Sequence, residues 1–150
     1  MTLPIIRHRD PWTTIALMPL QSGEGFRMLN SYRVQFQDET QDFFLTVPVG
    51  FCTDLASIPS IFLPLFKSWG QWTVAAICHD CLYAYGAGTK EQADDLFESL
   101  LIMDVELKEG HEGDITALAA AVRLFGRGNF DDPPPDAKEI LSTRGYSHQA

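Results

Sequence analysis

A short stretch of the chain carries residue types that perform acid–base chemistry. His79, Asp80 and Tyr83 lie close together in the sequence. On a helix, His79 and Tyr83 are one turn apart with Cβ atoms roughly 6 Å from each other, and Asp80 lies beside them. A histidine held in one tautomer by a carboxylate is a competent general base. The stretch therefore predicts a general base, provided that a second element brings a carboxylate to His79.

Two amphipathic helices joined by a short linker are predicted around this stretch. The first runs from Gln71 to Tyr85, and Gly86 to Gly88 ends it. The second begins after Thr89, because Thr89 and Gln92 have the spacing of a capping box. The apolar stripe of the first helix comprises Val74, Ile77, Cys78, Cys81, Leu82 and Tyr85, and that of the second comprises Ala93, Leu96, Phe97, Leu100 and Leu101. A linker this short forces the helices to pack antiparallel.

The second helix offers a carboxylate to the polar face of the first. Asp94 falls at the edge of the apolar stripe of its helix, whereas Asp95 points further outward. In an antiparallel hairpin the edge position reaches the first helix. We therefore expect Asp94, rather than Asp95, to accept a hydrogen bond from His79 and to orient it. A His–Asp pair opposite an apolar stripe is also typical of a plain solvated surface, and this alternative stays open.

Asp80 and Asp54 are candidates for holding a hard cation. Asp54 lies on an irregular segment from Phe51 to Gly70, whose prolines disfavour a long helix or a central strand. Two carboxylates with nearby backbone carbonyls form an oxygen-rich cage of the kind that calcium prefers. Such a cation would polarise a carbonyl while His79 deprotonates water, which indicates ester or amide hydrolysis. Thr, Asp and Ser also cap irregular turns without any further function.

The composition restricts the classes of partner. The chain has 150 residues, 11 basic against 20 acidic side chains and a formal net charge of -9. This balance argues against binding nucleic acid, which needs clustered Lys and Arg. Charged residues interrupt the N-terminal apolar run, so we expect no signal peptide, and we expect no transmembrane segment. Synthesis in the cytoplasm of the producing cell follows from this expectation.

The three cysteines of the chain have two possible roles, as core thiols or as zinc ligands. Cys52, Cys78 and Cys81 are an odd number, which disfavours a disulfide framework. Together with His79 they would supply four zinc ligands on paper. Because Cys78 and Cys81 fall on the apolar stripe of the first helix and His79 does not, core thiols are favoured over a zinc site.

The remaining pattern predicts an α+β fold. Two β-rich runs, 26–36 and 43–49, flank a polar turn and indicate a small N-terminal antiparallel sheet or hairpin. The irregular Asp-containing loop follows, and then a three-helix C-terminal half, with the third helix from Asp114 to Gly126. We expect residues 1–130 to form one domain and residues 131–150 to be a Pro-rich polar tail outside the core.

Three motifs, in order, resemble a known phage and prophage family. They span Val47 to Pro59, His79 to Tyr83 and Ala93 to Phe97, with the sequences VPVGFCTDLASIP, HDCLY and ADDLF. The family is catalogued as domain of unknown function thirteen-fifty-three, and the resemblance covers about residues 45–126. It implies a phage or prophage origin and a role in the virion or in lysis, but no activity.

The site residues also resemble the catalytic core of bacterial phospholipases A-two. The shared features are His-Asp-x-x-Tyr on one helix, a later Asp on an antiparallel helix, and an upstream loop of Asp-x-x-Ser type. The resemblance implies that a histidine activates water, that calcium is bound by two aspartates and a backbone carbonyl, and that a tyrosine and a distant aspartate brace the histidine. By position, the histidine that activates water corresponds to His79. The calcium ligands correspond to Asp80, Asp54 and the Leu55 backbone, and the bracing residues to Tyr83 and Asp94.

Two functions follow as expectations. The first is a phage or prophage metal-dependent hydrolase that acts on host envelope material such as a lipid ester. The second is a non-enzymatic virion structural or assembly protein in which the same cluster only pins the helical hairpin. In the second case, virion proteins are the partners, and Phe66, Trp69 and Trp72 are candidates for the contact, although they are equally suited to a core.

Overall fold

The structure is a computed structural model that describes residues 2–55, 71–105, 114–125, 128 and 130–147. Two antiparallel sheets and the helices enclose one core, and the predicted α+β class is confirmed. The strands are β1 (Ile5–Arg9), β2 (Leu17–Pro19), β3 (Phe26–Met28), β4 (Tyr32–Asp38), β5 (Gln41–Val47), β6 (Cys52–Thr53) and β7 (Leu141–Ser142). The helices are α1 (Thr73–Tyr85), α2 (Lys90–Asp104), α3 (Asp114–Phe125) and α4 (Ala137–Ile140), and a 3-10 turn spans Trp12–Thr14.

The described strands divide between a four-stranded sheet of order β1-β4-β5-β7 and a three-stranded sheet of order β2-β3-β6. The β4–β5 hairpin forms because Tyr32, Val34 and Phe36 alternate with polar residues, so one face enters the core. The run 26–36, predicted as one strand, is two strands in different sheets. Its break lies at Asn30, whose side chain bonds the backbone of Thr14 and Ala16 instead of continuing the strand.

Helix α1 is enclosed on nearly all sides. It begins at Thr73 rather than at the predicted Gln71, and it ends as predicted at Gly86, which has a left-handed φ of 59°. The predicted polar face of this helix is not a solvated surface, because His79 and Tyr83 are buried against α2. Trp72, a candidate for contact with virion proteins, is buried as well. Phe66 and Trp69 lie outside the described residues.

The cysteines differ in their environments. Cys78 and Cys81 lie in the core, where burial raises the pKa of both thiols. This confirms the core thiols expected on the apolar stripe, whereas Cys52 is exposed on β6. Cys52 and Thr53 point to opposite faces of this two-residue strand, and Thr53 is the residue that is buried.

The segment predicted as a tail contributes to the core. Residues 137–142 form α4 and β7, and β7 pairs with β5 through Leu45 and Leu141. Ile140 is only 3% exposed, and Tyr146 packs edge-on against Phe44 with ring centroids 5.2 Å apart. The prediction that this stretch stays outside the core is wrong, because its few apolar residues follow a polar, Pro-rich run that masks them. The division of the chain at residue 130 stays a prediction.

Replacing Ile140 by alanine tests whether this segment stabilises the fold. We expect Ile140→Ala to lower the free energy of unfolding by about 2–4 kcal/mol, because a buried side chain is lost and a cavity remains. Lys138→Ala, at an exposed position of the same short helix, should change it by less than about 0.5 kcal/mol. Urea denaturation measures both, and equal effects of the two variants would show that the segment does not belong to the core.

Candidate functional site

Asp94 is the centre of a buried polar cluster. Its carboxylate is 3% exposed, and among the described side chains it accepts hydrogen bonds from His79, Tyr83 and Lys90. The Nε2 atom of His79 lies 2.8 Å from Oδ1, and the Tyr83 hydroxyl donates to the same oxygen. The Nζ atom of Lys90 lies 2.7 Å from Oδ2. The contact expected between His79 and Asp94 is therefore present, and Asp95 instead pairs with Arg123 at 2.7 Å.

Local structure explains why these side chains meet. His79 and Tyr83 are separated by one turn of α1, and Lys90 and Asp94 by one turn of α2. The predicted capping box is present, because the Thr89 side chain accepts from the Gln92 amide and the Gln92 side chain accepts from the Thr89 amide. This cap sets where α2 begins after the short linker. The two pairs consequently face each other across the helical hairpin.

The hydrogen bonds determine the charge state of the cluster. Burial raises the pKa of Asp94, but the hydrogen bonds from His79, Lys90 and Tyr83 outweigh it, and the net pKa lies below its usual 3.8. Burial and the bond to Asp94 raise the pKa of the Tyr83 hydroxyl above its usual 10.0, so Tyr83 stays a donor. An ionised Asp94 accepts only, and the Nε2 atom of His79 therefore carries a proton.

Aromatic side chains surround the imidazole. The His79 ring lies 4.1 Å from the Tyr83 ring and 5.0 Å from the Phe97 ring, centroid to centroid, and His79 is 4% exposed. Phe130 packs edge-on against Tyr83 at 5.0 Å. Lys90 also donates to the carbonyl oxygen of Arg123 at 2.8 Å, which connects the cluster to α3. In such an environment electrostatic interactions are screened less than in water.

The turn after β6 brings a second polar group to α1. The Thr53 hydroxyl donates to Oδ2 of Asp80 at 2.5 Å and accepts from the Leu55 amide at 3.1 Å. Leu55 has a left-handed φ of 57°, which is unfavourable for a residue with a branched side chain. Asp54, between them, is exposed. The structure thus brings the turn that carries Asp54 beside Asp80, on the helix that carries His79.

The predicted calcium ligands consist of hard oxygen donors. They are the carboxylates of Asp54 and Asp80 and the carbonyl of Leu55, a donor chemistry that fits calcium. Within the described part of the chain, no group of three or more His, Cys, Asp or Glu side chains is arranged to hold a metal ion. The remainder of the loop, including Ser57, lies outside the described residues. Metal binding at this place stays a prediction.

A comparison with known protein families assigns the chain to a family. The family model described as "Protein of unknown function (DUF1353)" matches residues 26–111, which is more than half of the chain. The chain belongs to this family. The DUF1353 match includes Asp54, His79, Asp80, Asp94 and Lys90. No curated protein and no solved structure matches the chain. In the described part of the protein, no helix has the length and apolar character needed to cross a membrane.

Sequence reasoning missed the roles of Lys90 and Thr53. Lys90 had a detectable signal, because a Lys four residues before an Asp on one helix face is a favourable pair. Thr53 was recognised only as a residue that caps turns. Its bond to Asp80 joins residues that are 27 positions apart, and nothing in the sequence indicates such a contact.

Asp94→Asn tests the charge of the cluster. We expect the free energy of unfolding at pH 7 to fall by about 1–3 kcal/mol, because bonds to a carboxylate are replaced by weaker bonds to an amide. The folded-state pKa of Asp94 lies below 3.8, the usual value. The ionised carboxylate therefore stabilises the folded state fully above about pH 3.8, and this stabilisation is lost as the pH falls through the lower folded-state pKa. The difference between wild type and variant should therefore shrink under acid conditions.

Urea denaturation at a series of pH values measures this difference. Glu91→Gln, at an exposed position on the same helix, is the matched control and should change the free energy of unfolding by less than about 0.5 kcal/mol. A difference between wild type and Asp94→Asn that grows as the pH falls would contradict the assignment of a stabilising, ionised Asp94.

Proposed function

We propose that this DUF1353 protein is a phage or prophage hydrolase with a phospholipase-like, calcium-dependent site that acts on ester bonds of host envelope lipids. One observation carries the proposal: Nε2 of His79 lies 2.8 Å from the buried carboxylate of Asp94, and the Tyr83 hydroxyl donates to the same carboxylate oxygen. A carboxylate and a tyrosine that brace a helical histidine are the arrangement that the resemblance to phospholipases A-two implies.

His79 is the general base in this proposal. Because Nε2 donates its proton to Asp94, the nitrogen that takes a proton from water is Nδ1. The hydroxide equivalent attacks the ester carbonyl, and the imidazolium formed on His79 is stabilised by the negative charge of Asp94. The proton on Nδ1 then passes to the leaving alkoxide, which completes hydrolysis to an acid and an alcohol. A positioned base of this kind contributes roughly 100- to 10,000-fold in rate.

The oxygen donors beside His79 give the proposal its metal dependence. Asp80, Asp54 and the Leu55 carbonyl would hold the calcium ion, and a bound calcium ion would polarise the ester carbonyl and stabilise the oxyanion. Asp80 directly follows the base in the sequence, and the hydrogen bond from Thr53 brings the Asp54 turn to the same helix. This proximity supports one site in which base and cation act on the same ester.

A second candidate is a virion structural or assembly protein without catalysis. The observation that favours it is the position of Lys90, whose ammonium joins Asp94 to the Arg123 carbonyl and so ties α2 to α3. In this case the cluster serves only to hold the hairpin and its neighbour together. Partners would then be other virion proteins, and loss of the base would leave assembly unchanged.

Phospholipid vesicles distinguish the two candidates. We expect wild-type protein to release fatty acid from phosphatidylethanolamine vesicles only when calcium is present. His79→Gln keeps a donor for Asp94 but removes the base, so its rate should fall by roughly 100- to 10,000-fold. Asp80→Asn should raise the calcium concentration needed for half-maximal rate, whereas Asp42→Asn, at an exposed position on β5, should behave as wild type.

Two results would reject the hydrolase. One is wild-type protein that neither binds calcium nor cleaves the ester. The other is a rate that His79→Gln leaves unchanged, since the residual activity would then come from a different site or a contaminant. Co-purification with phage particles that His79→Gln does not alter, together with no ester cleavage by the wild type, would favour the structural candidate.

A further inference from the structure

Thr53 links two groups that the proposed function treats as separate ligands. It is a buried residue of β6, and its hydroxyl donates to Asp80 on α1 at 2.5 Å. The same oxygen accepts a hydrogen bond from the Leu55 amide at 3.1 Å. A threonine hydroxyl has one proton and two lone pairs, so it can make both bonds at once. The orientation of the Asp80 carboxylate and the path of the backbone at Leu55 therefore depend on one atom.

The backbone at Leu55 needs such support. Its φ of 57° places a non-glycine residue in the left-handed region, which persists only when surrounding contacts hold it there. The bond from the Leu55 amide to Thr53 spans the turn and is one such contact. Without it, the turn is expected to relax to an ordinary conformation that points the Leu55 carbonyl elsewhere.

The position of Thr53 is itself restrained by its neighbours in the three-stranded sheet. Phe26 of β3 pairs with Thr53 of β6, and Gly25, just before β3, packs directly against the Thr53 carbonyl. A Cβ atom at Gly25 would lie 2.7 Å from that carbonyl oxygen, closer than real contacts allow. Gly25 also has a φ of 133°, which other residues rarely adopt. The smaller sheet thus holds Thr53 at a defined place against α1.

We propose that Thr53 is a positioning residue of the calcium site, whose hydroxyl orients the Asp80 carboxylate and the Leu55 backbone before the cation binds. The assignment rests on the proposed function, because it concerns the same site. A residue that orients metal ligands typically changes metal affinity by 10- to 100-fold when its hydrogen bond is removed. Thr53 therefore acts on calcium affinity without contacting the substrate.

Isothermal titration of the full-length protein with calcium chloride tests the assignment. Thr53→Val keeps the shape of the side chain but removes the hydroxyl, and we expect it to weaken calcium binding by roughly 10- to 100-fold. Thr53→Ser keeps the hydroxyl and should bind within about 3-fold of wild type, which a role in packing alone would not explain. The same rank order should appear in the hydrogen exchange of the Leu55 amide, measured without calcium.

Thr46→Val is the matched control. Thr46 is as deeply buried on β5, and its hydroxyl has no hydrogen-bond partner within the described part of the chain. The substitution makes the same chemical change away from the site and should leave calcium affinity unchanged. Circular dichroism confirms that each variant is folded, and Thr53→Ala replaces Thr53→Val in the titration if the valine variant does not fold.

The outcomes separate the two proposals. If wild type and Thr53→Val bind calcium equally, the role of Thr53 is overturned while the hydrolase stands. If Thr53→Ser loses as much affinity as Thr53→Val, the hydroxyl is not the cause and the role is again overturned. If the wild type binds no calcium, the metal-dependent hydrolase is rejected and the assignment of Thr53 is rejected with it.

Discussion

The arrangement of the helices depends on one carboxylate that is removed from water. A buried, unpaired charge would destabilise the fold severely, so Asp94 is compatible with the core only where His79, Tyr83 and Lys90 lie within hydrogen-bond distance. The donors come from α1 and α2, and Lys90 extends the network to the Arg123 carbonyl on α3. The requirement to satisfy Asp94 therefore sets the register in which these helices pack.

The same constraint gives His79 its chemical character. Its ring is restrained, because Nε2 is bound to Asp94 and the rings of Tyr83 and Phe97 pack against it. An ionised partner satisfies a buried imidazole, and it would also stabilise the charge on a base that becomes protonated during catalysis. The neighbouring Asp80 accepts a hydrogen bond from Thr53. Thr53 begins a turn in which Leu55 has a left-handed backbone conformation. Strained, over-determined backbone of this kind clusters at functional sites.

Patterns that act over a few residues were predictable from the sequence. The capping box at Thr89, the stop at Gly86 and the difference between Asp94 and Asp95 all follow from helix geometry. The edge strand β1 was not predicted, because its exposed side chains show no alternation of apolar and polar residues. The burial of the His79 face was also missed, since periodicity within one helix does not reveal that neighbouring elements cover its other side.

Long-range contacts were the least predictable. The pairing of β7 with β5 and the bond between Thr53 and Asp80 join distant stretches of chain through geometry that only the folded structure contains. The phospholipase-like pattern could be found because its residues lie on two consecutive helices. The contact of Thr53 with Asp80 could not be found in this way, because Thr53 lies on β6, outside both helices.

The ¹⁵N chemical shifts of the His79 ring test the central claim most directly. His79 is one of four histidines, and the His79→Gln spectrum identifies its signals. For the neutral imidazole the account predicts the tautomer with a resolved, slowly exchanging proton on Nε2 and none on Nδ1. The opposite tautomer, or averaged shifts typical of a freely exchanging surface histidine, would contradict the account, because Asp94 would then not hold the imidazole.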